Sequence, residues 1–193
     1  MPDASPFAST NLDVCESRMR HLAANIIWTH KVHEKQADIY SGKYRYITNW
    51  DIVLTAISGC GVFSSVFFDC YIMKISSFIF IAVTLYVTIF SKITDYSRLS
   101  AEQVYSASDF LEIREAAFNV LAKIHFKEYS TAQACDDINY ILSEYSRTCR
   151  SAPRTMPAAV ACAERALKND GDSSYTEDEI DELLPQYLRR NRR

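Results

Sequence analysis

The sequence is short of the residues that stop a helix. It has only four glycines and five prolines in 193 residues, and the long stretch 7–152 contains no proline. Proline removes a helical N–H group and glycine adds conformational entropy to the unfolded chain, so a stretch poor in both favours helices. The sequence therefore predicts long helices.

The sequence also lacks an excess of charge and the cysteine pattern of a secreted or zinc-binding protein. Its formal net charge is -3, which argues against a generic nucleic-acid-binding protein. Six cysteines are scattered without a Cys-x-x-Cys pair, which favours a reduced, cytosol-facing protein. Residues 1–20 contain acidic side chains and no apolar signal-peptide core, so we expect membrane insertion to use internal segments.

The motifs of common enzyme sites are missing as well. The close glycine pair Gly59 and Gly61 lies in an apolar helical segment instead of a phosphate-binding loop. His30, His33 and Glu34 lie close together, but their order matches neither common zinc-protease motif, and a solvated helix face is the simpler interpretation. No spacing of Ser, Cys and His selects a nucleophile with its base. We expect no catalytic, cofactor-binding or metal-binding residues and no enzyme activity.

Two apolar runs are the strongest signals that are present. Seventeen uncharged residues separate Asp51 from Asp69, and another seventeen separate Lys74 from Lys92. Each run spans about 25 Å as a helix, and flanking turns can extend it toward the roughly 30 Å of a hydrocarbon core. The alternative is two buried helices of a soluble bundle, but the rest of the chain has too little apolar surface to cover both. The sequence predicts a transmembrane hairpin with spans at about 52–68 and 75–91.

Charge and periodicity predict the organisation around this hairpin. Basic residues are concentrated before the first span and after the second, which places both termini in the cytoplasm. Apolar residues at helical spacing recur on both sides of the spans. The stripe before them comprises Leu12, Cys15, Met19, Leu22 and Ile26, and the stripe after them comprises Phe110, Ile113, Ala117, Val120 and Ile124. The predicted parts are a disordered N-terminus (1–11) ending in a cap at Thr10 or Asn11, a cytoplasmic pre-membrane helical segment (12–50) with an interruption at Gly42, the hairpin (51–92), a cytoplasmic helical body (93–168), and an acidic, capped short helix with a basic tail (169–193).

The helices after the hairpin have further predicted details. The second span is expected to run without a break into a cytoplasmic helix, and the next long helix, capped at Ser130 or Thr131, to pack antiparallel on it. A short helix capped at Thr155 should end at Leu167, followed by a polar loop over 169–174. Thr176 and Glu179 form a capping-box pattern before the last helix, which has four apolar residues that could dock it: Ile180, Leu183, Leu184 and Leu188.

Both spans contain polar side chains at helical spacing. Hydroxyl stripes of this kind either pack helices together or, once several copies assemble, line a water-filled path. The first stripe comprises Thr55, Ser58 and Ser65, and the second comprises Ser77, Thr84, Thr88 and Ser91. The chain ends in a basic cluster that could contact a membrane surface or a partner, or could be a solubilising tail: Arg189, Arg190, Arg192 and Arg193.

The order of these parts resembles the SLATT family of two-transmembrane effector domains. The helix after the second span has a Tyr-x-Ala-x-x-aromatic-Leu arrangement made of Tyr105, Ala107, Phe110 and Leu111. A later helix end similar to that of the family is formed by Glu144, Tyr145, Ser151, Ala152 and Pro153, and Leu184 and Pro185 lie in a similar acidic stretch.

The resemblance implies an all-α membrane protein of the bacterial inner membrane, multi-pass, with long cytoplasmic helices before and after the hairpin. It also implies an oligomeric effector that forms a pore or disrupts the membrane in anti-phage, abortive-infection defence, without cofactors. The effector would be gated by a signal or partner at its cytoplasmic helices. The resemblance offers a neighbouring-gene nucleotide synthase, nucleotide sensor or reverse transcriptase as a candidate partner, and direct nucleotide binding stays open. The alternative is a non-conducting membrane anchor or scaffold that recruits a partner defence protein.

Overall fold

The computed structural model describes residues 6–67, 71–126, 128–167, 177–184 and 186–189. Every regular element in these ranges is helical, which confirms the predicted all-α class. The elements are α1 (Pro6–Phe67), α2 (Tyr71–Thr94), α3 (Tyr96–His125), α4 (Thr131–Ser151), α5 (Pro157–Leu167), α6 (Glu177–Leu183) and a 3₁₀ turn, η1 (Gln186–Leu188).

Helix α1 starts earlier than the sequence predicts and continues through the predicted interruption in its middle. It begins at Pro6 and not after Thr10 or Asn11, so residues 6–11, expected to be disordered, are helical. Proline suits the first turn of a helix because the N–H group that it lacks has no intrahelical partner there. The interruption expected at Gly42 is also wrong, since α1 continues through it. One glycine costs a helix only about 1 kcal/mol, which the contacts of its neighbours can offset.

The expected continuity between the second apolar run and the following helix is wrong as well. Helix α2 ends at Thr94, Asp95 adopts a left-handed conformation with φ of 40°, and α3 begins at Tyr96. Asp tolerates this conformation better than most residues because its short side chain bonds locally. Here the Asp95 carboxylate accepts a bond from the Arg98 backbone N–H at 3.1 Å, which caps α3.

The chain divides into two compact units. Unit 1 comprises Met1–Gln36 and Glu102–Arg193, and unit 2 comprises Ala37–Ala101. Helices α1 and α3 contribute residues to both units.

Unit 1 is a helical bundle with one apolar core. In α1 the predicted stripe is buried from Cys15 to Ile26, and Leu12 packs against it in part. In α3 the buried stripe includes Phe110, Ala117 and Ile124, as predicted. Residue pairs between α1 and α4 increase together along both helices, so these two run parallel, whereas α3 runs antiparallel to both. The pairs are Cys15–Cys135, Arg18–Asn139 and Thr29–Tyr145 for α1 with α4, and Glu16–His125 and His33–Gln103 for α1 with α3. Phe110 and Tyr145 join α3 to α4.

Caps and docking residues in unit 1 mostly follow the sequence. Ser130 caps α4 in a complete capping box with Gln133. Helix α5 is described as far as Leu167, where the described residues of this part of the chain stop, and Met156, not Thr155, accepts its first helical bond. Thr176 and the predicted loop 169–174 lie outside the described residues, as do the side chain of Glu179 and residues 190–193.

The last helical segments dock on the core as predicted, since Ile180, Leu184 and Leu188 are all buried and Leu183 packs against the core in part. The fully buried Arg20 of α1 pairs with Asp181 and also donates to the Leu188 carbonyl at 2.9 Å. This charge pair ties the end of the chain to α1.

Candidate functional site

Unit 2 contains an antiparallel pair formed by the second half of α1 and by α2. Ser58 Oγ lies 2.9 Å from Thr84 Oγ1, and Thr88 Oγ1 donates to the Asp51 carboxylate at 2.6 Å. In such pairs the residue number rises in one helix as it falls in the other, which defines antiparallel packing. A line of polar contacts therefore runs between the two apolar helices.

The two helices approach each other closely at Gly61. A Cβ atom added at Gly61 would lie 3.0 Å from Ser77 Oγ and 3.9 Å from Ser77 Cα, whereas one added at Gly59 would meet nothing within 4 Å. Ser77 is itself buried. Small residues at a helix contact let backbones approach and let hydroxyl groups bond across the interface.

Members of the two hydroxyl stripes predicted from the sequence meet at one helix contact, but not every member lies there. Ser58, Ser77, Thr84 and Thr88 lie at the contact between α1 and α2, where they are buried or partly buried. Ser91 bonds to the Thr88 carbonyl of its own helix at 2.9 Å. The stripe residue Thr55 is exposed, and the Ser65 side chain lies outside the described part of the chain.

The pairing extends beyond the predicted hairpin boundaries of 51 and 92. Ser100 Oγ donates to the Ala37 carbonyl at 3.0 Å, and the Tyr40 and Tyr96 rings lie 6.0 Å apart. Lys43 Nζ lies 5.6 Å from the centre of the Tyr96 ring, within reach of a cation–π contact. The polar segments that flank the apolar runs therefore belong to the same compact unit.

The outer surface of unit 2 is strongly apolar. Among the described residues, one helical stretch is long and apolar enough to cross a membrane: Lys74–His125, which runs from α2 through α3. Only 6% of the most apolar window of this stretch is buried. The first run ends in residues 64–70, whose side chains are outside the described set. Large side chains such as Phe78, Leu85 and Ile93 are more than half exposed. A surface of this kind requires an apolar partner or lipid.

Aromatic side chains form two pairs at one end of this surface. The Tyr46 and Trp50 rings of α1 meet edge to face at 6.2 Å, and the Tyr86 and Phe90 rings of α2 stack at 6.3 Å. Together with three aliphatic residues they line a shallow groove of about 340 Å³. The groove presents amphipathic rings at the end of the apolar surface where the basic segments begin.

Unit 1 has a buried polar network around the connection between α4 and α5. His33 Nδ1 lies 2.6 Å from Gln103 Oε1, and Gln103 Nε2 donates to the Arg154 carbonyl at 3.3 Å. Because the Gln103 oxygen must then accept, His33 carries its proton on Nδ1. Gln36 Oε1 accepts the Met156 backbone N–H at 2.7 Å. Gln36 and Gln103 thus hold the five-residue connection 152–156 against α1 and α3 through Met156 and Arg154.

Burial favours the neutral form of the two histidines in this region, His30 and His33. Burial lowers the pKa of His33, and the Gln103 bond opposes that shift. Burial also lowers the pKa of His30, helped by the nearby Arg114 charge. Glu34 pairs with Lys31 at 3.1 Å. The described residues contain no group of three or more His, Cys, Asp or Glu side chains that could hold a metal ion.

A groove of about 480 Å³ lies between α3 and α4 on the outside of unit 1. Its lining is acidic and aromatic as well as apolar, with Asp109, Glu112, Tyr140, Glu144 and Arg147 among the residues. Arg147 pairs with Glu144 within α4. The groove is a polar surface feature that the sequence patterns did not reveal.

Of the predicted basic tail, Arg189 is within the described residues. It is exposed, and it donates to the Leu184 carbonyl at 3.0 Å and to the Glu182 carbonyl at 3.5 Å. A guanidinium group there satisfies carbonyls left unpaired at the end of α6.

The sequence profile of one protein family matches residues 15–179, which is most of the chain. The chain belongs to the SMODS and SLOG-associating 2TM effector domain family 4, a SLATT family. The predicted family resemblance is thereby confirmed. No curated protein and no solved structure gives a significant match.

Membership in this SLATT family fits the exposed apolar surface of unit 2. The family is one of effector domains and is not a known enzyme family. The family and the apolar helix together indicate a membrane-associated effector of a conflict system. Sequence reasoning missed Asp51 as the partner of Thr88, although its position one turn before the Thr55 stripe was a usable signal.

Proposed function

We propose that this SLATT protein is an oligomeric effector of the bacterial inner membrane that forms a pore or disrupts the membrane during anti-phage defence. The observation that carries the proposal is the α2 surface, whose most apolar window is 6% buried in a member of a two-transmembrane effector family. Lipid can cover such a surface, because a helix satisfies its own backbone hydrogen bonds inside a bilayer.

In this proposal α2 and the end of α1 cross the membrane as a hairpin with both termini in the cytoplasm. Tyr46, Trp50 and Tyr86 support this arrangement, since Tyr and Trp favour the membrane–water interface. Lys43 and Arg45 precede the first run and Lys92 and Arg98 follow the second, which agrees with the positive-inside rule.

A single helix pair encloses no channel, so a pore requires several copies. The contacts Ser58–Thr84 and Asp51–Thr88 are made within one chain. If these hydroxyl groups line a conducting path, the two helices must first separate or rotate. We propose that the cytoplasmic helices of unit 1 hold the resting arrangement until a signal or a partner shifts the population toward the open one.

The proposal is tested by placing a charge in the apolar surface. Ile81 is 42% exposed on α2, and an arginine near a span centre costs roughly 2.5–3.5 kcal/mol of insertion free energy. Ile81→Arg should move the protein from the membrane fraction to the supernatant or to aggregates and abolish growth arrest. The matched control is Tyr105→Arg in unit 1, where the parent side chain is 72% exposed and the change should have no effect.

The conducting function is tested with a membrane-potential dye after induced expression. We expect wild-type protein to depolarise the cells and Ile81→Arg protein to leave the potential unchanged. If wild-type protein fractionates with the membrane and the potential does not change, pore formation is excluded.

The α3–α4 groove favours a second candidate function, a membrane scaffold that recruits a partner defence protein. Charged and aromatic residues on an accessible groove suit recognition of another protein more than packing within the chain. In that case Tyr140→Ala, which changes a side chain that is 63% exposed, should abolish defence. Depolarisation by the overexpressed protein would be absent with and without the substitution.

A further inference from the structure

Two cysteines from distant parts of the sequence meet in unit 1. Cys15 Sγ and Cys135 Sγ lie 3.4 Å apart, although 120 positions separate them in the chain. A disulfide bond is about 2.05 Å long, so the sulfurs need to approach by only about 1.3 Å. The two thiols are therefore already in contact in the folded protein.

Two further pairs hold α1 against α4 on the C-terminal side of these thiols. One turn further along, Arg18 donates to the Asn139 side chain at 3.3 Å, and beyond it Thr29 bonds Tyr145 at 2.9 Å. Met19 and Ile138 beside the thiols are fully buried. The parallel register of α1 and α4 therefore keeps the two sulfurs opposite each other in the folded protein.

The two thiols differ in their access to solvent. Cys15 is 6% exposed, whereas Cys135 lies partly exposed at the edge of the core. A small oxidant in solution therefore reaches Cys135 first. Cys15 is placed behind it at contact distance, as the second thiol of a disulfide-forming pair must be.

We propose that Cys15 and Cys135 form a reversible redox site, which is a dithiol in the resting protein and a disulfide after exposure to a hydroperoxide. The Cys135 thiolate attacks a peroxide oxygen, breaks the O–O bond and becomes a sulfenic acid, releasing water when hydrogen peroxide is the oxidant. Cys15 then attacks the Cys135 sulfur, forms the S–S bond and releases a second water. The two electrons pass from the thiols to the peroxide, and a small dithiol restores both thiols by exchange.

Burial keeps the Cys15 thiol slow to react until Cys135 has been oxidised. Burial raises the pKa of Cys15, and the neighbouring Cys135 thiol raises it further, so Cys15 is protonated at neutral pH. Because Cys15 reacts only after Cys135, the two thiols stay a dithiol under reducing conditions. Once formed, the bond would join α1 to α4 covalently and prevent them from sliding past each other.

The test uses the full-length protein, purified in detergent under reducing conditions and then treated with hydrogen peroxide. We expect non-reducing peptide mass spectrometry to find the Cys15 and Cys135 peptides linked, with the link removed by dithiothreitol. The oxidised protein should also melt at a higher temperature than the reduced protein, because a bond closing a long loop restricts the unfolded chain.

Two variants make the result decisive. Cys135→Ser changes a partly exposed side chain and should fold, lose the link and lose the rise in melting temperature. Cys149→Ser, an exposed position on the same helix, should keep both. The proposal is overturned if peroxide oxidises Cys135 to sulfinic or sulfonic acid while Cys15 stays a free thiol, or if the Cys135→Ser protein still gains stability on oxidation. Neither measurement depends on whether the protein forms a pore.

Discussion

Replacing Gly61 by valine should separate α1 from α2, while the same change at Gly59 should not. The first valine would place its Cβ 3.0 Å from Ser77 Oγ and its methyl groups beyond it, whereas Gly59 has no atom within 4 Å of an added Cβ. Overpacking of this kind costs about 1–3 kcal/mol. Both variants remove a helical glycine, so the difference between them isolates the clash.

The separation can be measured by cross-linking. Ser58 and Thr84 carry oxygens 2.9 Å apart, so cysteines at these two positions should cross-link readily in vesicles when Cys60→Ser removes the neighbouring thiol. A cost of 1–3 kcal/mol corresponds to roughly a 5- to 150-fold loss of the paired state. Gly61→Val should lower the cross-linking rate by at least about five-fold, and Gly59→Val should leave it unchanged. Equal rates for the two variants would refute the close approach of Gly61 to Ser77.

Three further predictions concern the stability of unit 1. Asp181→Ala should destabilise the protein by about 3–5 kcal/mol because it removes a carboxylate partner from the fully buried Arg20 charge. Arg20→Met should cost less, about 1–3 kcal/mol, since the Asp181 carboxylate that loses this partner is partly exposed to water; denaturant titration measures both, and equal costs would contradict the charge argument. The lowered pKa of His33 means that the unfolded state binds more protons, so the unfolding free energy should fall as pH drops below the ordinary value of 6.5. His33→Gln should reduce this slope, and an unchanged slope would contradict the prediction. Ser130→Ala should lose the α4 capping box and about 1 kcal/mol, or roughly 2–4 °C in a thermal melt, whereas a change at exposed Ser143 should cost nothing.

Features that depend on neighbouring residues were predicted well from the sequence. The buried stripe from Cys15 to Ile26 follows from helical spacing, because residues three and four apart share a face. The Ser130 cap follows from a side-chain oxygen that can reach the N–H group three residues later. Ile180, Leu184 and Leu188 dock because a short helix with this stripe has no other way to bury it.

Features that depend on competition between local and distant contacts were not predicted from the sequence. Gly42 carries a local helix-breaking tendency that its long helix overrides. Asp95 ends α2 without a glycine or proline to signal it, since the left-handed conformation is tolerated by Asp but not required by it. The pairs Ser58–Thr84 and Cys15–Cys135 depend on helix register, which periodicity within one helix cannot supply.

In the proposed function, in which unit 1 holds the helices of unit 2 in their resting arrangement, the connection between α4 and α5 is the point at which a signal would act most directly. The chain leaves unit 1 after Gln36 in α1 and enters it again at Glu102 in α3. Gln36 itself and Gln103, the next residue after that entry, bond to backbone groups of Met156 and Arg154 in the same short connection. A partner that displaced residues 154–156 would therefore release a buried side chain on both helices at once. Because an unpaired buried polar group costs about 1–3 kcal/mol, the loss of both bonds would favour a rearrangement of α1 and α3 together.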